Sequence, residues 1–359
     1  MIFHKALLRE LATAALPTFF VLLGITLTTQ LVKLLGQAAA GAITSMGVLA
    51  LLGFTVLNYL PVLLSLTLFI AVLMTLTRSY RDYEMVVWFS SGLGLMQWMR
   101  PVLMFAAPLV FTIALLSLVL SPWAVNKAEE FRQLMNMRDD VSAITPGVFR
   151  ESSRGDRVYF VEEVEGEQNY VANVFVSSTQ HQKLGIMVAR RGYQETMENG
   201  DRFLVLMNGR RYEGEAGTPE YKIYEFDRYA MRVDTGVGEA RAPTTKTLPT
   251  VDLMRDRNAA NLAEFSWRIG LPLSALILSV FAIPLSFVNP RAGRSMNLVL
   301  ALLLYMTYSN LLSIAQAYIA QSKIGLAAGL WGVHGVMLLV LVVLFYRRVV
   351  VGSMWRRLR

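Results

Sequence analysis

The sequence predicts an α-helical integral membrane protein: six transmembrane helices in two groups of three, with an all-β domain inserted between the groups. Three observations predict it. Of 359 residues, 54% are hydrophobic and 17% charged, against about a quarter charged in soluble domains. The apolar residues gather in runs longer than the roughly 18 residues that mark a membrane helix. Between the third and fourth runs the pattern turns polar and extended, with short pieces rich in Val, Tyr and Phe.

The six spans are residues 11–35, 48–76, 101–125, 265–288, 296–320 and 327–346, each long enough to cross a hydrocarbon core of about 30 Å at about 1.5 Å per residue. The first follows Lys5 and Arg9 and precedes the small residues of QAAAGA, as a signal peptide does. Its apolar stretch exceeds the roughly 7–15 residues of a signal core, so it reads as a retained helix. Three domains follow: 1–125 with spans one to three, 126–264 with the β-domain and its linkers, and 265–359 with spans four to six and a basic end.

The net charge of +8 divides by region. Residues 125–264 hold 19 Lys and Arg against 23 Asp and Glu, net −4, and the rest holds 15 against 3, net +12. Most cations of the membrane part sit in alternate connections: Lys5 and Arg9; Arg78, Arg81 and Arg100; Arg291 and Arg294; and Arg347, Arg348, Arg356, Arg357 and Arg359 at the end; the opposite short connections hold only Lys323. Positive charge marks the cytoplasmic side, so both termini read as cytoplasmic and the insert as external, which in a two-membrane bacterium is periplasmic. The basic balance is a topology signal rather than a sign of nucleic-acid binding.

Within the insert the pieces starting at Val158, Tyr170, Gly185, Arg202 and Tyr221 read as strands. Turn signals at Glu165-Gly166, Asn199-Gly200 and Gly217-Thr218-Pro219 separate them, and Asn208-Gly209 interrupts or bends the fourth. Short strands at this spacing indicate an antiparallel sandwich or jelly roll. Residues 127–140 read as a helical extension of span three, and 244–261 as a return segment into span four.

Catalytic equipment is missing from the sequence. The absence of cysteine excludes a disulfide framework, a thiolate metal site and a cysteine nucleophile. No P-loop, GxSxG elbow or HExxH pair occurs, and His4, His181 and His334 lie far apart. A membrane protein of this kind is a channel, transporter, permease subunit or scaffold.

Three features remain to carry function. In the connection of residues 77–94, Tyr80, Glu84 and Trp88 recur every four residues, so a helix there stacks them on one face, with Gly92 and Gly94 to end it. That helix either docks a soluble partner in the cytoplasm or lies as a plain interfacial anchor. In span five, Tyr305, Ser309, Ser313 and Gln316 share a face, which is either an interhelical hydrogen-bonding surface or a seam opening toward a transport path. Lys33, near the outer end of span one, either snorkels to the head groups or meets an anionic substrate. The turn of residues 283–294 places Pro290 and Gly293 in a compact reversal held in the cytoplasm by Arg291 and Arg294, and topology alone accounts for it. Pro17, Pro61, Pro108, Pro272 and Pro284 suggest kinked helices, as membrane helices tolerate.

With these residues set out, the chain resembles the lipopolysaccharide export system permeases, of the LptF type. The matching stretches are QLVKLLG ending span one, LMTL followed by the Glu84 helix and Gly92, NGRRYEG in the insert, WRI at Trp267, and PLSFVNPRAGR closing span four. The order of elements matches along essentially the whole chain, and the turn through Asn289, Pro290 and Arg291 is the most specific piece. The resemblance implies a periplasmic β-jelly roll and a half-transporter with no catalytic residues, no metal and no cofactor of its own. It implies pairing with LptG, two copies of the ATPase LptB that bind ATP and Mg, and LptC with the periplasmic bridge, and it implies lipopolysaccharide as substrate. On this resemblance Tyr80, Tyr83, Glu84, Trp88 and Gly92 form the ATPase-coupling set, with Glu84 in the ATPase groove, and Lys33 contacts the phosphorylated head group. Spans one and five become lateral gates, which gives Gln30, Tyr305, Ser309, Ser313 and Gln316 a cavity role. A second family cation is replaced here by Gln30. Two other readings stand beside this one: a secondary transporter or channel, which would need acid or histidine relays within the spans, and a scaffold or sensor that binds periplasmic ligands through its β-domain.

Overall fold

The computed structural model of the chain describes residues 2–39, 43, 45–142, 147–151, 157–165, 170–180, 183–196, 202–214, 221–233, 244–287 and 295–357. The helices are α1 (Ile2–Ala39), α2 (Ser45–Arg81), α3 (Glu84–Ser90), α4 (Met99–Leu115), α5 (Ser121–Ser142), α6 (Thr250–Arg255), α7 (Ala259–Leu285), α8 (Ser295–Ala320) and α9 (Leu326–Arg357), and the strands are β1 (Arg150–Glu151), β2 (Arg157–Glu165), β3 (Tyr170–Gln180), β4 (Lys183–Thr196), β5 (Arg202–Gly214) and β6 (Tyr221–Val233). Among the described residues six stretches are long and apolar enough to cross a membrane: Lys5–Ala39, Gly47–Arg81, Leu95–Met135, Ala259–Leu285, Asn297–Ala320 and Leu326–Val349. The expected three-plus-three division around a β insert is present.

The chain forms two compact units, one of Met1–Glu130 with Pro243–Arg359 and the other of Phe131–Ala242. Residues 126–130 and 243–264, grouped with the insert on sequence, thus belong with the helices. In the helical unit α7 is the central element: every residue from Ile277 to Pro284 is buried, as in a helix surrounded on all sides. Lipid tails are as apolar as leucine, so close packing rather than transfer from water holds such a bundle together. Accordingly α7 presents small residues, Gly270, Ser274, Ala275, Ser279 and Ala282, among the neighbouring helices. Around it pack Leu68, Phe69 and Val72 of α2, Val102 and Ala106 of α4, Tyr308 of α8 and Met337 of α9. By contrast α1 exposes Phe20, Ile25 and Val32. Between α4 and α5 the helix widens into one π turn, Leu116–Leu120.

The β unit is a single antiparallel sheet in which the strands pair in chain order from β1 to β6. The expected strands form nearly where they were placed, but among the described residues they follow a meander, without the crossover connection of a jelly roll. A sandwich arises differently. Cross-strand registers align the row Val161, Val174, Ala189, Gly209, Phe226 and, three positions along each strand, the row Val171, Gly192, Leu206, Tyr229. Inward positions in a flat strand recur every two residues. Here the spacing of three reverses the pleat in β3, β4, β5 and β6 along one line, the row Asn173, Arg190, Asn208, Asp227, which Glu162 of β2 continues. All five residues of that row are exposed, and among the described residues they make none of the ladder pairs made by the rows on either side. Asn173 and Asn208 take left-handed φ of 48° and 52°, a conformation asparagine tolerates better than other non-glycine residues. The sheet is therefore creased across its strands. Both leaves contribute to one core, with Val174, Val176 and Met187 from one side and Val171, Leu204 and Leu206 from the other. Across that core Arg211 Nη1 donates to Tyr229 Oη at 2.9 Å, and the Phe226 and Tyr229 rings lie 5.3 Å apart.

Candidate functional site

The connection between α2 and α4 departs from the single helix expected over residues 78–94. Helix α2 continues through Tyr80 to Arg81 and then breaks, because Tyr83 adopts φ 60°, ψ 8°, a left-handed conformation that no α-helix accommodates. A new, seven-residue helix starts at Glu84. Its end follows the expectation for Gly92, which has φ 90°: Gly92 N–H donates to Phe89 O at 3.2 Å and Leu93 N–H to Trp88 O at 3.1 Å, the paired bonds of a Schellman ending.

The break redistributes the coupling residues. Tyr80 faces inward, its ring 6.3 Å from Phe89 and 5.5 Å from Phe287. The Arg348 guanidinium caps Phe287 at 4.1 Å, a cation–π contact that joins the ends of α7 and α9 to this cluster. Trp88 packs against the bundle core and Met85 is buried. The face left to solvent is Tyr83, Val86 and Val87, joined by Met96 beyond the turn, all at least 60% exposed. Sequence reasoning missed Val86, Val87 and Met96. Val86 and Val87 fall between the members of the four-residue repeat and Met96 lies beyond Gly92, so only the broken helix and its turn bring the three outward together. Glu84 stands beside this apolar patch, half-exposed, and Arg78 Nη2 lies 3.4 Å from its Oε1 and 2.9 Å from Glu10 Oε1 of α1. The geometry is that of a small apolar surface with one carboxylate, on a short helix braced from behind by aromatic packing.

At the opposite end of α7 lies a second polar cluster. Arg268, 2% exposed, uses all five guanidinium N–H groups: Nε to Glu264 Oε1 at 3.0 Å, Nη1 to Leu248 O and Thr250 Oγ1, both at 2.9 Å, and Nη2 to Thr245 O and Lys246 O, both at 3.2 Å. The segment 244–250 is thereby pinned to α7. The π turn contributes as well: Ser117 Oγ donates to Arg268 O at 3.0 Å, and Thr250 Oγ1 donates to Leu118 O. The only sequence signal for this cluster is an i, i+4 pair of Glu and Arg at the entrance of an apolar run.

The polar face of α8 does not form one open seam. Tyr305 Oη donates to Val62 O of α2 at 3.4 Å, Ser313 Oγ donates back to Ser309 O of its own helix, and Gln316 Nε2 donates to Glu264 Oε2 at 3.4 Å. Tyr308 and His334 of α9 share a buried hydrogen bond. Ser309 and Tyr305 line a recess with Trp267 and Ser274 of α7. Lys33 is exposed and Gln30 half-buried on α1, so these two belong to the outer face rather than to any of the clusters above. The turn through Asn289, Pro290, Arg291, Gly293 and Arg294 lies outside the described residues.

Comparison with known proteins agrees with this architecture. The profile of the family "Lipopolysaccharide export system permease LptF/LptG" matches residues 5–347. The chain is 27% identical over 352 residues to the lipopolysaccharide export system permease protein LptF of Escherichia coli K12, covering 96% of this chain and 94% of that protein, and it is related to the same degree to LptF of Shigella flexneri. With six membrane-length helices in two groups of three and an antiparallel β-domain between them, the chain belongs to the lipopolysaccharide export system permease LptF/LptG family, as a member of the LptF type.

Proposed function

We propose that the chain is the transmembrane subunit of an ATP-binding-cassette transporter that extracts lipopolysaccharide from the outer leaflet of the inner membrane and passes it to a periplasmic bridge leading to the outer membrane. In this reading it pairs with an LptG-type permease and works with two copies of the ATPase LptB, which bind ATP and Mg, and with LptC. Both termini and the α3 end are cytoplasmic and the β-domain is periplasmic.

The observation that carries the reading is the α3 surface. Its exposed Tyr83, Val86 and Val87 with the adjacent Glu84 suit insertion into a groove that is apolar with one cation. The brace of Tyr80, Phe89, Phe287 and Arg348 behind them lets a push on α3 reach α7 and α9 rather than dissipate in a loop. An external energy source is needed on magnitude alone: withdrawing a twelve-carbon acyl chain from a bilayer costs on the order of 10 kcal/mol, at about 0.8 kcal/mol per methylene, and the sequence holds no P-loop.

The test is purification of the chain from its native membrane in mild detergent. A P-loop ATPase and a second six-span permease are expected to accompany it, and Glu84→Ala is expected to weaken retention of the ATPase or uncouple its activity from lipid release. Purification of the chain alone, together with unchanged surface lipopolysaccharide after its depletion, would refute the assignment.

A further inference from the structure

We propose that Glu264 and Arg268 form a latch between the polar face of α8 and the segment 244–250, through which a displacement of α8 loosens or tightens the chain where it returns from the β-domain. The inference goes beyond the proposed function: it needs only that α8, a peripheral helix, shifts against the buried α7, and it names the residues that carry such a shift onward.

The argument starts from Glu264. Its two oxygens serve different helices: Oε1 accepts from Arg268 Nε of the same helix at 3.0 Å, and Oε2 accepts from Gln316 of α8 at 3.4 Å. Glu264 is 7% exposed and Arg268 2%, so neither oxygen can exchange a lost partner for bulk water, and a buried carboxylate oxygen without a donor is costly. If α8 withdraws Gln316, a replacement donor within the cluster is a second N–H of Arg268, which would make the pair bidentate. Yet every N–H of Arg268 is already committed, four of the five to the segment 244–250. Satisfying Glu264 therefore removes a bond from that segment.

The direction of transmission follows from what can move. Helix α7 is buried on all sides and fixed by packing, and the π turn is tied to the same cluster by Ser117 and Thr250. Gln316, half-buried on a helix whose outer face exposes Met306, Ile314 and Tyr318, is the one member supplied from a peripheral helix, and it makes the longest bond. Full satisfaction of Arg268 is what any buried guanidinium requires, whereas the division of the Glu264 carboxylate between two helices is what ties the cluster to α8.

The cysteine-free sequence allows a direct test on the full chain in phospholipid nanodiscs. Lys246 is exposed and joins the cluster through its backbone carbonyl alone, so Lys246→Cys reports the segment by its rate of maleimide labelling. Gln316→Leu is expected to raise that rate about 2- to 10-fold, the range one hydrogen bond commands. Adding Glu264→Gln to Gln316→Leu removes the charge that competes for Arg268 and should bring the rate back toward the parental value. A purely structural cluster predicts the reverse, with the double variant looser than the single. An unchanged rate in Gln316→Leu, or a double variant as fast as or faster than the single, overturns the latch. The measurement needs neither nucleotide nor partner, so the latch can fail while ATPase copurification succeeds, and the transporter assignment can fail while the latch stands.

Discussion

Adding one methyl group at Gly209 tests the crease of the β-domain. In Gly209→Ala the new Cβ would lie 2.6 Å from Val188 O and 2.5 and 2.8 Å from two carbons of the Phe226 ring. The ring could rotate, but the carbonyl belongs to β4, the neighbouring strand in the ladder, where Ala189 pairs with Gly209 itself. Relief thus requires β4 and β5 to separate next to the Asn208 bend. Overpacking of this kind costs typically about 1–3 kcal/mol, and because the strain sits between two central strands it should appear as local opening rather than as loss of the helical bundle. The expected result is faster hydrogen exchange of β4 and β5 amides in the full chain, by about 5- to 150-fold at roughly tenfold per 1.4 kcal/mol, with the amides of α7 unchanged. Exchange in β4 and β5 equal to that of the parent would refute the reasoning, since it would mean that no close backbone approach exists at the crease. Gly53→Ala, where a Cβ would meet nothing within 4 Å, is the control and should leave the β-domain untouched.

Three further predictions concern the membrane unit. Asn258 caps α7, its Oδ1 accepting from Asn261 N–H at 2.8 Å; Asn258→Ala should cost about 1 kcal/mol and lower the unfolding midpoint in detergent, with Asn258→Ser restoring it. Gly92→Ala meets no steric obstacle but must hold φ near 90°, at about 1–2 kcal/mol for an L-residue in the left-handed region. It should fray the end of α3 and weaken ATPase retention more than Asn258→Ala does at a similar loss of thermal midpoint, and retention equal to that of Asn258→Ala would show that the α3 ending is not part of the docking surface. Lys33→Glu should reduce photo-crosslinking of the chain to lipopolysaccharide about two- to fivefold, the effect of a screened ion pair worth about 0.5–1 kcal/mol; equal crosslinking would leave Lys33 with a snorkelling role only.

What was legible in the sequence follows from the range of the interactions involved. The six spans and the long strands are local patterns, and the helices and β2 to β6 form close to the residues expected. Asn208-Gly209 showed itself as an interruption because the residue types carry the conformation. That it belongs to a line through Glu162, Asn173, Arg190 and Asp227 depends on the register of five strands, which no single strand encodes. In the α3 region the four-residue spacing of Tyr80, Glu84 and Trp88 was real but misleading, because Tyr83 breaks the helix between the first and second of them. Arg268 was visible only as part of a motif. Its partners are mainly backbone carbonyls 20 to 23 positions away, and a carbonyl has no sequence signature.

The crosswise crease has a mechanical consequence. Ladder bonds in a sheet run across the strands, parallel to such a line, so rotating one leaf about it alters backbone torsions at a single position per strand and severs no interstrand pairing. The unit is in effect a hinged book cover, with Asn173 and Asn208 in its spine. Parting its pages costs the Arg211–Tyr229 bond and the apolar contacts between the leaves but leaves the strand ladder intact, whereas a closed barrel of fixed strand number has one bore. Since β1 and β6 do not pair with each other among the described residues, the cover is also unsealed at its ends. Such a cover admits what lies between its leaves from the side, without threading through an end.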